Sequence, residues 1–310
     1  MPQAPTESGP AADRPAAYHH VDVFTDEPYA GNSLAVFVDP PPLTTAQMAA
    51  VTRELRHFET IFVTRRPDGP SADARVFDLN EELPFAGHPV LGAAAVLHDL
   101  DGAPADADRK WTIHLPARSV QVATRRSAPG RLTALMDAGR PELVGTPAAE
   151  DAAPIADRLG LSADDLDPRL PPQVWSTGLA YLVVPVRDGD ALARARISSP
   201  DFEAFLGRHG AEFAYVLDAS APEGRHWNND GVIEDVATGS AAGCVAAYLL
   251  HHGRAEDGVQ TPLAQGRRTG RPSTITITAY GPPERPVRVT VGGGVAVVGT
   301  GRLHALPGPA

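Results

Sequence analysis

Two alanine-rich stretches about half a chain apart, ELPFAGHPVLGAAAVLHD and EDVATGSAAGCVAAYLL, constrain this sequence more than any other feature. Each opens on a glycine turn and continues with scarcely a charge. A surface helix carries an apolar stripe and a polar face, so a helix that is apolar all round has to be enclosed. Laying Gly87 on Gly239 also lays Glu82 on Glu234, Ala94 on Ala246, Ala95 on Ala247 and Leu97 on Leu249. Upstream, LAVFVDP matches AYLVVPV, the Gln47–Leu55 helix matches DFEAFLGRH, and ETIFVTR matches EFAYVLD, which puts Glu59 close to Glu212. Four matching elements in one order predict a duplication. The expected fold is α+β, with two similar lobes, each a strand-wrapped central helix, and an active-site cleft between them.

The expected boundaries follow from composition shifts. Residues 1–17 read as a disordered tail, 18–140 as the N-terminal lobe and 141–290 as the C-terminal lobe. Residues 291–310 read as a terminal segment crossing back to the first lobe. Thr44 or Thr45 is expected to cap the first helix, Pro89 to occupy the first position of the second, and Thr238 or Ser240 to cap the last. GGGVAVVGTG has the look of a dinucleotide loop, but only nine residues follow Gly301, too few for the helix and strand such a loop needs. It reads as a glycine-rich hairpin.

Charge and cysteine content exclude several classes. The formal net charge of -11 argues against nucleic-acid or anionic-membrane partners. No apolar run approaches the roughly 20 residues that span a bilayer, and the N-terminus lacks the pattern of a signal peptide. Cys244 is the only cysteine, which rules out an internal disulfide and suits a cytoplasmic setting. A Schiff-base mechanism would rest on Lys110, the only lysine. The histidine pairs His19–His20 and His251–His252 lack the spacing of a metal site.

The two glycine turns carry the chemistry. A helix start exposes free N–H groups and the positive end of the helix dipole, and glycine lets a ligand approach the backbone. If the lobes face one another, two such starts converge on one site for a small carboxylate. His88 is then expected at the mouth of that site, as a donor or proton carrier. Glu59 begins an apolar strand, where burial would raise its pKa into the range of a general acid–base group. Asp235 is a loop acid just before the second turn.

These residues resemble the phenazine-biosynthesis PhzF family, whose fold is that of diaminopimelate epimerase. The likeness rests on FETIFV, NEELPFAGHPVLGAA and GVIEDVATGSAAG, with weaker support from AGNSLAVFVD, GRPSTI and GVAVVGTGRL, and covers residues 18–304. It implies a cofactor-independent isomerase of secondary metabolism, working as a homodimer on a small unsaturated cyclic carboxylate like dihydro-hydroxyanthranilate. By the same resemblance Glu59, Asp235 and His88 are catalytic, and Gly87, Gly239, Ser240 and Phe58 meet the substrate. Three stretches depart from the family pattern: Phe58 stands for a serine, Ser33 for a proline, and RHWNNDGVIED lacks the expected Arg-Phe-x-Pro.

Two other readings remain. One is an epimerase or racemase acting on another amino-acid-derived substrate; the other is a non-catalytic small-molecule binding protein on the same fold. The epimerases that the fold resembles use one cysteine at each glycine turn. Those positions here are Ala86 and Thr238, which removes both thiolates.

Overall fold

The computed structural model describes residues 15–308 apart from 103 and 105. The first half holds β1 (Ala16–Val23), β2 (Asn32–Val38), α1 (Thr45–Leu55), β3 (Glu59–Arg65), β4 (Ser71–Phe77), β5 (Glu82–Leu83), α2 (Gly87–Leu100), β6 (Asp108–His114), β7 (Ser119–Ala128) and β8 (Arg131–Gly139). The second half holds β9 (Glu142–Gly145), α3 (Ala152–Arg158), β10 (Gln173–Ser176), β11 (Ala180–Val186), α4 (Gly189–Arg194), α5 (Phe202–Arg208), β12 (Phe213–Asp218), β13 (Glu223–Arg225), α6 (Gly239–His251), β14 (Thr261–Gln265), β15 (Ser273–Tyr280) and β16 (Arg288–Leu303).

Strand pairing repeats from one half to the other. The parallel pair β2–β3 has its counterpart in β11–β12, and the parallel pair β4–β6 in β13–β14. The last strand, β16, joins the halves: its earlier residues pair with β15 and β8, and its later ones with β1. Since β1 through β8 are linked in one path, the β1–β16 pairing closes the first sheet into a barrel. Closure removes the free edges on which strands aggregate.

The first barrel encloses α2, and the strands of the second half curl around α6. Every residue of α2 from His88 to His98 is buried, and in α6 so is every residue from Ala241 to Leu250. Strands β1, β2, β3, β6, β7, β8 and β16 pack on α2, and β10, β11, β15 and β16 on α6, which explains why neither carries a polar face. Small residues let the strands come close. A Cβ on Gly92 would lie 2.5 Å from Leu34 Cδ2 and 3.1 Å from Val23 Cγ2. One hydrophobic core runs through both halves around α2 and α6. Smaller cores form where α1 covers the first barrel and where α3, α4 and α5 cover the second.

Helix ends show both agreement and correction. Thr44 caps α1 in a full capping box with Gln47. The second helix begins two residues earlier than expected, at Gly87, so Pro89 is its third residue. Proline is tolerated there because the first-turn N–H groups have no intrahelical partner. Neither Thr238 nor Ser240 caps α6 with its side chain: Thr238 holds the N-cap position, but its hydroxyl turns back to Asp235.

Two chain ends also differ from expectation. The tail expected over 1–17 is cut short, because Ala16 and Ala17 pair with Leu303 and Arg302 at the start of β1. Residues 1–14 lie outside the described residues. The glycine-rich end is one long strand, not a hairpin. Its glycines serve close packing instead: a Cβ on Gly292 would fall 2.1 Å from the Ala134 carbonyl oxygen.

Gly92→Ala tests the tightness of this enclosure. Alanine favours a helix over glycine by about 1 kcal/mol, yet overpacking typically costs about 1–3 kcal/mol. We expect a net loss of stability, seen as a lower urea midpoint. A midpoint at or above that of the parent protein would show that the barrel wall yields.

Candidate active site

The N-terminal tips of α2 and α6 abut. A Cβ on Gly87 would come within 3.9 Å of Gly239 backbone atoms, and one on Gly239 within 4.0 Å of the His88 nitrogen. Above this junction lies a cavity of about 520 Å³ lined from both halves of the chain. Phe58, Glu59, Gly87, His88, Asp235, Gly239 and Ser240 all line it. The first-turn amides of two helices therefore face one pocket, a setting that favours a bound anion.

Glu59 is the first residue of β3, beside Leu34 of β2. Its side chain is only 16% exposed, and its Oε2, fully buried, has no hydrogen-bond partner. Burial, reinforced by the negative charges of Asp235 and Asp78, pushes its pKa up to about 8. His88 Nδ1 stands 3.5 Å from Glu59 Oε2. Burial pushes the imidazole pKa down, against the pull of Asp235. At neutral pH the pair is thus mainly a carboxylic acid beside a neutral imidazole, not an ion pair. His88 Nε2 is also buried without a partner. Two unsatisfied polar atoms in one pocket mark a place prepared for a ligand. His88, the second residue of α2, is buried and lines the cavity.

A network spanning both halves holds Asp235. Its Oδ1 accepts from Asn32 Nδ2 at 3.3 Å, and its Oδ2 accepts from the Thr238 hydroxyl at 2.7 Å. Asn32 Nδ2 also donates to the Ala237 carbonyl at 3.1 Å. Gln265, at the end of β14, is wholly buried and braces the same loop. Its Nε2 donates to the Asp235 carbonyl and to Thr238 Oγ1, both at 3.0 Å. Its Oε1 accepts from the Thr238 amide at 3.1 Å and the Tyr215 hydroxyl at 3.0 Å.

Several site residues were not legible in the sequence. Tyr181 of β11 places its hydroxyl 2.7 Å from Ser240 Oγ. His226 is buried against the pocket, and its Nδ1 lies 2.9 Å from the Ala214 carbonyl. A carbonyl can only accept, so Nδ1 carries the proton, and burial keeps the ring neutral. His57 and His20 share Ser33: each ring nitrogen lies 2.8 Å from its hydroxyl oxygen. Asn32 and Gln265 offered only one signal, their positions just after PYAG and just before GRR; single polar residues at strand ends are too common to single out.

The departures from the family pattern now have physical descriptions. Phe58 is 37% exposed at the pocket wall, where a hydroxyl would be expected. Arg225 grips Glu234 through two contacts of 2.8 and 2.7 Å and stacks over Trp227. Trp227 and Glu234 form a bridge that delivers the loop to Asp235. The repeat partner of Glu59, Glu212, is exposed and accepts from the Ala180 amide at 2.9 Å, so only one of the two matched acids enters the pocket. Cys244 donates to the Trp175 carbonyl at 3.2 Å inside α6, and burial pushes its pKa up to about 12, which makes it inert.

The phenazine biosynthesis-like protein family, PhzC-PhzF, matches residues 21–301. The chain belongs to this family. It is 33% identical over 292 residues to a trans-2,3-dihydro-3-hydroxyanthranilate isomerase of Pseudomonas fluorescens, covering 92% of this chain and 98% of that protein. A solved structure described as a predicted epimerase from Pseudomonas aeruginosa has 46% identity and a TM-score of 0.84, covering 93% of this chain and 99% of the other. A hydroxyproline epimerase from Agrobacterium vitis shares the fold alone, with 16% identity and a TM-score of 0.57 over 96% of this chain and 94% of the other. This member of the PhzC-PhzF family is an isomerase.

The buried acid gives this isomerase a pH signature. A carboxyl whose folded pKa lies near 8, against an ordinary 4.5, keeps its proton in the folded state after the unfolded chain has lost it. Stability from Glu59 is complete below 4.5 and is lost as pH rises toward 8, by up to about 1.4 kcal/mol per pH unit. His88 acts the other way, because its folded pKa is lowered. Glu59→Gln removes the first effect and keeps the second. Denaturation at pH 5 through 8 should show the variant gaining on the parent with each step. Parallel profiles would mean that Glu59 ionises as it does in water.

Proposed function

We propose that this protein moves a proton between two carbons of a small unsaturated cyclic carboxylate of the dihydro-hydroxyanthranilate type, with Glu59 as the proton carrier. The supporting observation is the unpartnered Glu59 carboxyl, its pKa raised to about 8, in a pocket floored by two helix tips. A proton carrier works best when its pKa lies near the working pH.

The substrate's carboxylate is held by the free amides of the helix tips, with the Ser240 hydroxyl beside them. Its amino group faces Asp235. A cationic amino group there offsets the Asp235 charge that helps to raise the Glu59 pKa. Binding thus favours the Glu59 carboxylate. A C–H bond of the ring then breaks, the proton passes to Glu59, and the electron pair delocalises toward the carboxylate. Preorganised donors stabilise that charge. Glu59 returns a proton to a different ring carbon, so the product is an isomer and the electron count is unchanged. His88, beside Glu59, orients the carboxyl and exchanges protons with it.

By the same reading the pathway is one of secondary metabolism and the working form is a homodimer, both resting on the family resemblance; the cytoplasmic setting rests on the single cysteine. The epimerase alternative has less support, since a paired-thiol mechanism has no thiol at Ala86 or Thr238.

With trans-2,3-dihydro-3-hydroxyanthranilate in deuterium oxide, product should form with one deuterium at the newly protonated carbon. Glu59→Gln should lower kcat by about 10²–10⁴-fold while substrate affinity stays within about tenfold, a change of ~1.4 kcal/mol. The parent kcat/KM should climb with pH and level off near 8, where free Glu59 becomes a base. Near-normal turnover by the variant would remove Glu59 from the mechanism. No turnover by the parent protein would reject this substrate class.

A further inference from the structure

Beside the α6 tip lies a second cavity of about 280 Å³. It shares Phe85, Leu179, Gly239 and Ser240 with the catalytic pocket. Its other walls include Pro84, Met136 and Ala138, so its surface is mostly apolar. The exception is Arg118, the one charged residue that lines it.

Arg118 is not satisfied by the protein. Its side chain makes no hydrogen bond or ion pair with any of the described residues. The guanidinium sits over Phe85, with Cζ 4.1 Å from the ring centroid. This cation–π contact holds the cation at the wall without using its N–H donors. Asp137, the carboxylate that acts on it electrostatically, is already engaged: it accepts from Arg288 Nε at 2.7 Å and from the Gly139 amide at 2.9 Å. Partial burial lowers the Arg118 pKa, a sign that the cation has lost water without gaining a counter-ion.

We propose that this chamber is a second ligand site, for a small apolar carboxylate about the size of one ring. The planar guanidinium edge matches a carboxylate in a two-bond fork, and Met136, Leu179 and Ala138 receive the apolar body. Phosphate is a poorer fit, since the polar side chains on the walls are one guanidinium and the hydroxyls of Thr177 and Ser240, too few donors for all of its oxygens. The site stands independently of the isomerase reading. Its shared walls place a bound carboxylate directly against Phe85 and the Gly239–Ser240 tip of the catalytic pocket.

Methionine makes the chamber visible. The chain has three methionines, and Met136 lines this cavity while Met48 lies on α1 beneath a separate core. The full chain, labelled with ¹³C at the methionine methyls, is titrated with benzoate, with benzamide as its neutral counterpart, and with inorganic phosphate. The Met136 signal should move to saturation with benzoate, and Met48 should stay still. Arg118→Gln should need at least about tenfold more benzoate, and benzamide or phosphate should not saturate. Isomerase turnover by Arg118→Gln, assayed separately, confirms that the variant is folded, and loss of the isomerase reading leaves the titration intact. A stationary Met136 signal overturns the proposal. So does an Arg118→Gln titration like that of the parent, which would place benzoate in the catalytic pocket, or saturation by benzamide, which would make the charge irrelevant.

Discussion

Two helices buried beneath strands are the constraint from which the rest of this structure follows. Enclosure disfavours polar side chains along the middle of α2 and α6 and requires small ones where strands cross them, as at Gly92. At their N-terminal ends the helices present free backbone amides. Because both helices point their starts toward the junction and both begin at glycine, those amides meet at one place. A pocket for an anion is therefore a by-product of how the two halves are filled.

The electrostatics of Glu59 follow from the same packing. A carboxyl at the start of β3 would ionise normally in water. Placed beside the enclosed tip of α2, it loses hydration and gains two acidic neighbours, and both effects favour its protonated form. The pocket holds the acid without spending a hydrogen bond on Oε2. Asp235 is treated in the opposite way: Asn32 and Thr238 bond its carboxylate, and Gln265 its backbone. Two acids in one pocket thus have different environments, one left unpaired and one anchored.

Much of the site was legible because its residues lie in glycine-bounded motifs. PFAGHP and EDVATGSAAG point to His88, Gly87, Asp235, Gly239 and Ser240, and the apolar run after Glu59 makes that acid conspicuous. The start of α2 was misjudged by two residues, because Pro89 suits the first position of a helix as well as its third. Tyr181 and His226 gave no local signal. Tyr181 reads as one more core aromatic in AYLVVPV, and only the parallel pairing of β11 with β12 sets it beside Phe213 under Ser240. Arg118, in a turn between two strands, looks like any solvated cation until Phe85 is seen to cover it.

The sequence by itself determined the two enclosed helices, their glycine starts, the duplication and the family, because apolar periodicity and turn chemistry act over a few neighbouring residues. The tertiary structure decided which of two matched acids would be buried and which would face solvent: Glu59 meets the tip of α2, while Glu212 meets the amide of Ala180. It also decided which cations would be paired. Burial and charge pairing depend on what lies across the barrel, and no local pattern encodes the neighbour on the far side.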